Sequence, residues 1–143
     1  MKKLFALLLL VFGFVLQSCK DDKNDESAIR QMLEKQVVEW NKGNIEGYMR
    51  GYWENDSLVF IGKNGPTYGY VPTLERYKKG YPSVEHMGRL TSTITSMRRL
   101  SDDYYFIIGK WSLVRNIGDV SGAYTLLIRK IQAHWVIVVD HSS

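Results

Sequence analysis

Cysteine, histidine and proline are scarce in this sequence of 143 residues, which has one cysteine, three histidines and three prolines. A single thiol cannot form a disulfide within the chain, and no group of Cys and His residues has the spacing of a metal site. We therefore expect no intramolecular disulfide, no metal ion and no cofactor. The patterns G-x-S-x-G, H-E-x-x-H, G-x-x-x-x-G-K-[ST] and G-x-G-x-x-G are also absent. Their absence excludes the enzyme classes that these motifs identify.

Long apolar runs are also missing, except near the start of the chain. Residues 4–16, LFALLLLVFGFVL, are fewer than the roughly 20 apolar residues that a transmembrane helix requires. Lys2 and Lys3 precede this run, and small and polar residues follow it. A basic start, a short apolar segment and a small-residue end are typical of a secretory signal peptide. We predict one over residues 1–18.

The single cysteine follows this segment, in the tetrapeptide Leu16-Gln17-Ser18-Cys19. The tetrapeptide resembles the lipobox of bacterial lipoproteins, which implies cleavage before Cys19 and a lipid such as palmitate on its thiol. The alternatives are an ordinary signal peptide that contains a cysteine, or a buried free thiol. On the lipobox interpretation Cys19 is the lipidation site, and several acyl chains hold a protein at a membrane far better than one.

An acidic segment, KDDKNDESA, comes next and has no apolar residue before Ala28. Because it offers nothing to a hydrophobic core, we predict a solvated acidic tether over residues 19–26. An acidic tract in this place also resembles the signal for surface display in some bacteria with two membranes. We expect a lipid-anchored protein of the bacterial cell envelope, at the outer membrane. The domain is either on the periplasmic side or displayed on the cell surface, and the sequence does not decide between them.

The charge of the chain does not favour a nucleic-acid partner. The formal net charge is +4, and two of the positive charges belong to Lys2 and Lys3 of the predicted signal peptide. The rest of the chain has no run of Lys or Arg interleaved with aromatic residues, so we expect no nucleic-acid binding. Residues 27–143 are sufficient for one domain with one core.

The hydrophobic pattern of this domain changes from a helical period to a strand period. Apolar residues follow a helical stripe from Ser27 to Lys42, and Gly43 is placed to end the helix. Shorter helices are predicted after Asn44 and over residues 72–80. Strands are predicted over SLVFIG, TYGY, GRLTSTITSMRRL, YYFIIGKWSLVR, GAYTLLIRKI and HWVIVVDHS. Short polar turns join the last four into an antiparallel meander, which indicates an α+β domain.

Three segments of the domain carry a resemblance: VEWNKGNIEGYMRGYWENDSLVFIGKNGPTYGYVPTLERY, MGRL and WVIVVDHSS. They resemble the SnoaL-like, nuclear transport factor 2-like superfamily, and most of all its branch of small, mostly uncharacterised bacterial proteins. The resemblance covers residues 27–143 and implies a cystatin-like cone, with N-terminal helices packed on a strongly bent antiparallel sheet around a pocket. The superfamily includes ketosteroid isomerase, polyketide cyclases, dehydratases, binding proteins and a kinase association domain, so it does not decide the function.

Asp140 and His141, at the end of the last predicted strand, are the candidate catalytic residues. Successive side chains of a strand point to opposite faces, so these two neighbours do not form a local pair. Alternation places His141 on the face of Trp135, which we expect inside the cone, and Asp140 on the outer face. For each residue the alternative is a structural hydrogen bond.

Aromatic residues form the second group of candidates. We predict a ligand pocket between the first helix and the concave sheet, and its predicted lining is Tyr52, Trp53, Tyr68, Tyr70, Trp111 and His141. The alternative for each aromatic residue is a place in the core. Glu54 and Asp56 lie at the helix-to-strand junction, but neither matches the acid–base residues of ketosteroid isomerase by motif. We expect His86 in a solvated loop.

Two classes of function remain. The first is a membrane-anchored module that binds a small, apolar or partly polar molecule or a partner protein, and we favour it because the motifs supply no acid–base pair. The second is an isomerase, cyclase or hydratase that uses His141 or Asp140 as general base.

We also expect a homodimer through the outer face of the sheet, where alternation places Val136 and Val138.

Overall fold

A computed structural model describes the backbone of residues 2–143 and the side chains of residues 22–143. The helices are α1 Lys2–Asn41, α2 Ile45–Met49, α3 Tyr70–Gly80 and α4 Val84–Met87. The strands are β1 Val59–Gly62, β2 Gly65–Tyr68, β3 Arg89–Ser101, β4 Tyr104–Val114, β5 Val120–Ile131 and β6 His134–Ser142. The chain divides into two compact units after Gln31, and the second unit contains every element that follows α1.

Helix α1 begins well before Ser27, where the sequence predicted its start. The acidic segment contains neither glycine nor proline, so nothing in it breaks a helix. Residues 22–26 are helical, and none of their side chains is buried. Cys19 lies outside the side chains that the structure describes, so the signal peptide, the tether and the lipidation site stay predictions. Within residues 22–143, no helix is both long and apolar enough to span a bilayer.

The end of α1 agrees with the sequence prediction. Gly43 has a φ of 76°, and its N–H donates to the Trp40 carbonyl at 2.8 Å. The indole N–H of Trp40 donates to the Met87 carbonyl at 3.1 Å, and the amide of Asn41 exchanges two hydrogen bonds with the backbone of Leu90. The last turn of α1 is thereby fixed to α4 and to the start of β3.

The six strands form one sheet in the order β2-β1-β6-β5-β4-β3. Strands β3 to β6 pair antiparallel in sequence order, which confirms the predicted meander. The predicted sheet was entirely antiparallel, but β1 pairs with β6 in parallel. The two strands are separated by most of the domain and not by a tight turn, so nothing requires them to run in opposite directions.

One face of the sheet is buried, and we call it the inner face; it carries Ile107, Leu126 and Ile128. The rings of α2 and α3 lie on the same side, because Tyr77 on α3 contacts Phe60 at 5.5 Å and Tyr48 on α2 at 5.3 Å. The opposite side of the sheet is the outer face. The core of the domain therefore lies between the helices and the inner face.

A β-bulge in β6 sets the faces of this strand. Leu127 pairs with Val139 and Ile128 pairs with Ile137, which leaves Val138 as an extra residue. An extra residue moves every following side chain to the other face of the sheet.

The bulge reverses the predicted faces at the end of β6. Trp135 is buried before the bulge, as predicted, but Val138 and Asp140 are buried after it, and His141 is exposed. The predicted places of Asp140, His141 and Val138 were therefore wrong. Uninterrupted alternation predicts all three incorrectly, because it does not allow for the inserted residue.

Candidate functional site

Asp140 is buried at the inner face, with 3% of its surface exposed. The hydroxyl of Tyr52 donates to its Oδ2 at 2.6 Å, and the hydroxyl of Ser142 donates to its Oδ1 at 2.8 Å. No ion pair in the described part of the chain includes Asp140. Burial of this carboxyl is tolerated because both of its oxygens accept hydrogen bonds from neutral groups.

Three tyrosines converge beside this carboxyl. Tyr48 lies on α2, Tyr52 follows that helix, and Tyr77 lies on α3. The hydroxyl oxygen of Tyr52 is 3.1 Å from that of Tyr77 and 3.3 Å from that of Tyr48. Trp40 closes the group, with its ring centroid 5.0 Å from that of Tyr48 in an edge-to-face contact. We call Asp140 and the three tyrosines the tyrosine–aspartate cluster.

When Asp140 is ionised, the direction of the hydrogen bond between Tyr52 and Asp140 is fixed. Each tyrosine has one hydroxyl hydrogen, and Tyr52 uses its own for Asp140. The oxygen of Tyr52 must then accept from Tyr77, Tyr48 or both. All donors therefore point toward the carboxylate, and the free lone pairs lie on Tyr48 and Tyr77.

Burial shifts the proton affinity of every member of the cluster. It raises the pKa of Asp140 to about 6, although the hydrogen bonds from Tyr52 and Ser142 act in the opposite direction. Burial and the nearby carboxylate raise the pKa of Tyr48 to about 12, and they raise the pKa of Tyr52 and of Tyr77 well above its ordinary value. The tyrosines are neutral near physiological pH, whereas Asp140 changes protonation near pH 6.

The structure brings only part of the predicted site together. Of the predicted pocket residues, Tyr52 belongs to the cluster, His141 lies on the exposed outer side and Tyr68 is 64% exposed. The other predicted lining residues are half-buried and outside the cluster: Trp53, Tyr70 and Trp111. Glu54 and Asp56 are exposed. Contact of these residues with a ligand stays a prediction.

No protein-family model and no curated protein matches the sequence. Among solved structures, an NTF-2 like protein of unknown function from Shewanella oneidensis MR-1 is 39% identical, with a TM-score of 0.80. The match covers 83% of this chain and 98% of that chain. The chain belongs to the NTF2-like family. The family resemblance and the α+β, cystatin-like fold predicted from the sequence are thereby confirmed.

More distant structures agree with the NTF2-like fold. A domain of unknown function with a cystatin-like fold from Nostoc punctiforme PCC 73102 is 17% identical, with a TM-score of 0.71, over 84% of this chain and 76% of that chain. A ketosteroid isomerase-like protein from Erwinia carotovora atroseptica SCRI1043 is 16% identical, with a TM-score of 0.64, over 82% of this chain and 93% of that chain. At these identities the likeness shows the fold alone.

Sequence reasoning missed three members of this NTF2-like site: Tyr48, Tyr77 and Ser142. Tyr48 and Tyr52 are four residues apart, which places them on one side of a helical turn, and this spacing was an available signal. Tyr77 lies on a different element, and its proximity to Tyr52 is set by tertiary packing. Ser142 is two residues from Asp140 on β6, so alternation places both side chains on one face, and this spacing was also an available signal.

A surface cleft of about 330 Å³ lies near the cluster, between α2 and the segment that joins α3 to α4. Its floor includes the buried Ile45 and Met87, and the ion pair of Lys78 with Glu46, at 3.0 Å, lies at its rim. Tyr81 lines it, and the Tyr81 ring packs against those of Trp40 and Tyr77. The cleft is therefore separated from the cluster by aromatic rings. The predicted cavity between the first helix and the sheet is a different place and stays a prediction.

His86, expected in a solvated loop, lies instead on α4 and is half-buried, with its Nδ1 2.9 Å from the Ser83 hydroxyl. Among the described side chains, no three His, Cys, Asp or Glu residues are grouped so that they could hold a metal ion. What the site offers is hydroxyl groups, one carboxyl group and aromatic rings.

Proposed function

We propose that this NTF2-like domain binds a small molecule at its inner face, with the tyrosine–aspartate cluster as the polar contact. The observation that carries the proposal is Asp140, a buried carboxyl with two hydroxyl donors and no cation. A carboxyl in this position lowers stability relative to an apolar residue of similar size. Strongly perturbed titratable groups concentrate at functional sites, and a ligand contact explains why this one is present.

The cluster suits a ligand with a hydroxyl or carbonyl oxygen. Tyr48 is half-buried, whereas Tyr52 and Tyr77 are buried, so Tyr48 is the most accessible of the three. When Asp140 is protonated it can donate to Tyr52, and a tyrosine hydrogen is then free for an acceptor on the ligand. When Asp140 is ionised, the cluster offers lone pairs instead. The surrounding rings favour a ligand that is otherwise apolar.

Ligand retention tests this proposal. The purified protein is exposed to an extract of natural small molecules, washed and examined by native mass spectrometry, and the variants Asp140→Asn and His141→Asn are treated in parallel. We expect a bound mass on the wild type and on His141→Asn, and its loss from Asp140→Asn. His141→Asn is the matched control because His141 is the adjacent, exposed residue. Equal retention by all three proteins, or retention by none, contradicts the proposal.

A second function, proton transfer, is supported by the pKa of Asp140, which burial raises to about 6. An acid or base acts best when its pKa is near the working pH, and the neutral Tyr52 hydroxyl is placed to stabilise negative charge on an oxygen. In this proposal Asp140 removes a proton from the carbon next to a carbonyl group and returns it to the same or another carbon. We expect Asp140 to speed deuterium uptake from D₂O into 2-tetralone, and Asp140→Asn to abolish the increase. Equal rates with and without the wild-type protein contradict it.

We propose, as a separate point, that Cys19 anchors the protein by lipid to the bacterial cell envelope, at the outer membrane. The support is the Leu16-Gln17-Ser18-Cys19 sequence after a short apolar run. Cells labelled with a fatty-acid analogue should label the wild type and not Cys19→Ala. Equal labelling of both proteins contradicts the anchor.

We also propose a homodimer through the outer face of the sheet. The bulge removes Val138 from this face, and the paired residues Phe106, Leu127 and Val139 take its place. These three side chains are half-buried, and the neighbouring Ile108 is 40% exposed. A second copy would cover this apolar strip symmetrically.

A further inference from the structure

Five aromatic side chains form an unbroken row of ring contacts between the surface cleft and the inner face. The ring centroid of Tyr81 lies 4.8 Å from that of Trp40, and the centroid of Trp40 lies 5.0 Å from that of Tyr48. The Tyr48 centroid lies 5.8 Å from that of Tyr52. A second route from Tyr81 to Tyr52 passes through Tyr77, with centroid separations of 6.2 Å and 6.3 Å. These are the separations of rings in contact, and we call the five residues the aromatic row.

Each member of the aromatic row is a tryptophan or a tyrosine, and both types give up an electron far more readily than phenylalanine does. Phe60 contacts Tyr77 but lies on neither route. One end of the row, Tyr81, is half-buried and lines the cleft, whereas the other end, Tyr52, is buried. The row therefore connects the surface to a buried hydroxyl group through oxidisable rings alone.

The charges near the two ends of the row differ in sign. Burial raises the pKa of Tyr81, and the nearby Arg115 and Arg76 act in the opposite direction. Burial also raises the pKa of Tyr52, and there the Asp140 carboxylate acts in the same direction. The positive charge that remains when a ring loses an electron is repelled by the two guanidinium groups and attracted by the carboxylate. The field along the row therefore favours movement of this charge from the cleft toward Tyr52.

Tyr52 has the proton acceptor that an oxidised tyrosine requires. An oxidised phenol is a very strong acid, and it is stabilised when its hydroxyl proton leaves. The Tyr52 hydroxyl donates to Oδ2 of Asp140 at 2.6 Å, which is within reach of direct proton transfer. Burial raises the pKa of Asp140 to about 6, so this carboxylate is a stronger base than an ordinary one and is still ionised at neutral pH.

We propose that Tyr52 is a redox-active tyrosine, which oxygen-centred radicals at the surface oxidise by one electron through the aromatic row. The oxidant takes an electron from Tyr81, and electrons move outward along the row until the vacancy is on Tyr52. The O–H bond of Tyr52 breaks, and its proton forms an O–H bond on Asp140. The products are the one-electron-reduced oxidant, a neutral phenoxyl radical and a neutral carboxylic acid. No bound ligand is needed, so this activity goes beyond the proposed function.

A photosensitiser attached beside Tyr81 tests this activity. Val84 is 66% exposed and lines the cleft with Tyr81, so Val84→Cys, made together with Cys19→Ala, provides a single thiol for a ruthenium polypyridyl complex. Light and methyl viologen convert the complex to a one-electron oxidant, and transient absorption then follows the tyrosyl radical. We expect a long-lived radical in this labelled protein and its loss on Tyr52→Phe. Tyr68→Phe, at a side chain that is 64% exposed and outside the row, is the matched control and should keep the radical.

The pH dependence of radical formation tests Asp140 as the proton acceptor. With a pKa of about 6, its ionised fraction falls about tenfold between about pH 7 and pH 5, so the rate should fall by the same factor. Asp140→Asn should form the radical slowly and without this dependence. The other titratable groups near Asp140 are the cluster tyrosines and Tyr124, which stay neutral in this range, and the adjacent His141. His141→Asn should keep the pH profile.

Several results would overturn the redox role. They are an equal radical lifetime in Tyr52→Phe and Tyr68→Phe, and a rate that is the same at both pH values when Tyr52 and Asp140 are intact. If Tyr52→Phe does not fold, the frozen radical of the labelled protein decides. Its electron paramagnetic resonance should show coupling to a proton that exchanges in D₂O, because Asp140 then donates to the radical oxygen. Absence of this coupling, or of any radical, contradicts the proposal. Ligand retention is decided separately, by the extract experiment.

Discussion

At the residue scale, the main energetic feature is the protonation of Asp140. Folding moves this carboxyl from water into a cluster of neutral hydroxyl groups, where burial raises its pKa to about 6 from an ordinary value of 3.8. The folded state therefore binds a proton more strongly than the unfolded state. By linkage, the contribution of this group to stability is complete below about pH 4 and is lost as the pH rises to about 6.

The variant Asp140→Asn should remove this pH dependence. Between pH 3 and pH 7, the free energy of unfolding of the wild type should fall by about 3 kcal/mol relative to that of the variant, because each unit of pKa displacement corresponds to roughly 1.4 kcal/mol. Urea unfolding of both proteins at several pH values measures the difference. A constant difference across this range would show that Asp140 does not titrate in the folded state with a raised pKa.

The variant Tyr52→Phe should both weaken the fold and raise the pKa of Asp140 further. The removed hydroxyl donates to the carboxyl at 2.6 Å and lowers its pKa. Loss of this donor leaves a buried acceptor oxygen without its partner, which costs about 1–3 kcal/mol. Urea unfolding gives the free energy, and an NMR titration of the Asp140 carboxyl carbon gives the pKa. Tyr68→Phe, at a side chain that is 64% exposed, is the control and should change neither.

At the element scale, strand β6 shows what the sequence could predict and where it failed. The bounds of the last four strands follow from runs of β-branched and aromatic residues between polar turns, so the pattern predicted them closely. The faces of β6 were correct up to Ile137 and reversed from Val138. A bulge leaves no mark in the hydrophobic pattern, because the residues on both sides of it are apolar. The candidate site depended on this one register shift, so Asp140 and His141 were exchanged.

The β5–β6 turn makes a prediction at the same scale. Gln132 and Ala133 have φ values of 48° and 64°, the left-handed region that a two-residue hairpin of this type requires and that favours glycine. Ala133→Gly should therefore stabilise the protein by about 1 kcal/mol and raise its thermal midpoint by about 4 °C. Ala123→Gly, on the exposed side of β5, is the control and should lower the midpoint. Scanning calorimetry compares the two, and a fall for both variants would contradict the assignment of the turn.

At the scale of the whole molecule, the fold was predictable and the site was not. Helices followed by four long strands define the α+β class. The family resemblance further predicted that the sheet bends around the helices as a cystatin-like cone. The parallel pair of β1 with β6, and the meeting of Tyr52, Tyr77 and Asp140, depend on contacts between distant parts of the chain. Such contacts cannot be predicted from the local spacing of apolar residues in the sequence.

The proposed dimer gives the prediction that belongs to this scale. Ile108→Asp places a charge on the outer face, where Ile108 is 40% exposed, and should convert a dimer to a monomer without unfolding it. Light scattering measures the mass, and circular dichroism checks the fold. Ile117→Asp, at a side chain that is 54% exposed in the β4–β5 connection, should remain dimeric. A wild-type protein that is monomeric at tens of micromolar, as an order-of-magnitude concentration for a weak contact, would remove the dimer proposal.

The place of β6 in the sheet has a consequence for the order of events during synthesis. Of the described strands this one is synthesised last, yet it lies between β1 and β5. Until it arrives, the four-residue strands β1 and β2 have only each other, and such a hairpin is marginal alone. The tyrosines of α2 and α3 likewise cannot complete their hydrogen-bonded cluster before Asp140, near the end of β6, has been synthesised. The domain should thus remain unfolded until β6 has been synthesised, and a nascent chain halted before His134 should be fully sensitive to protease.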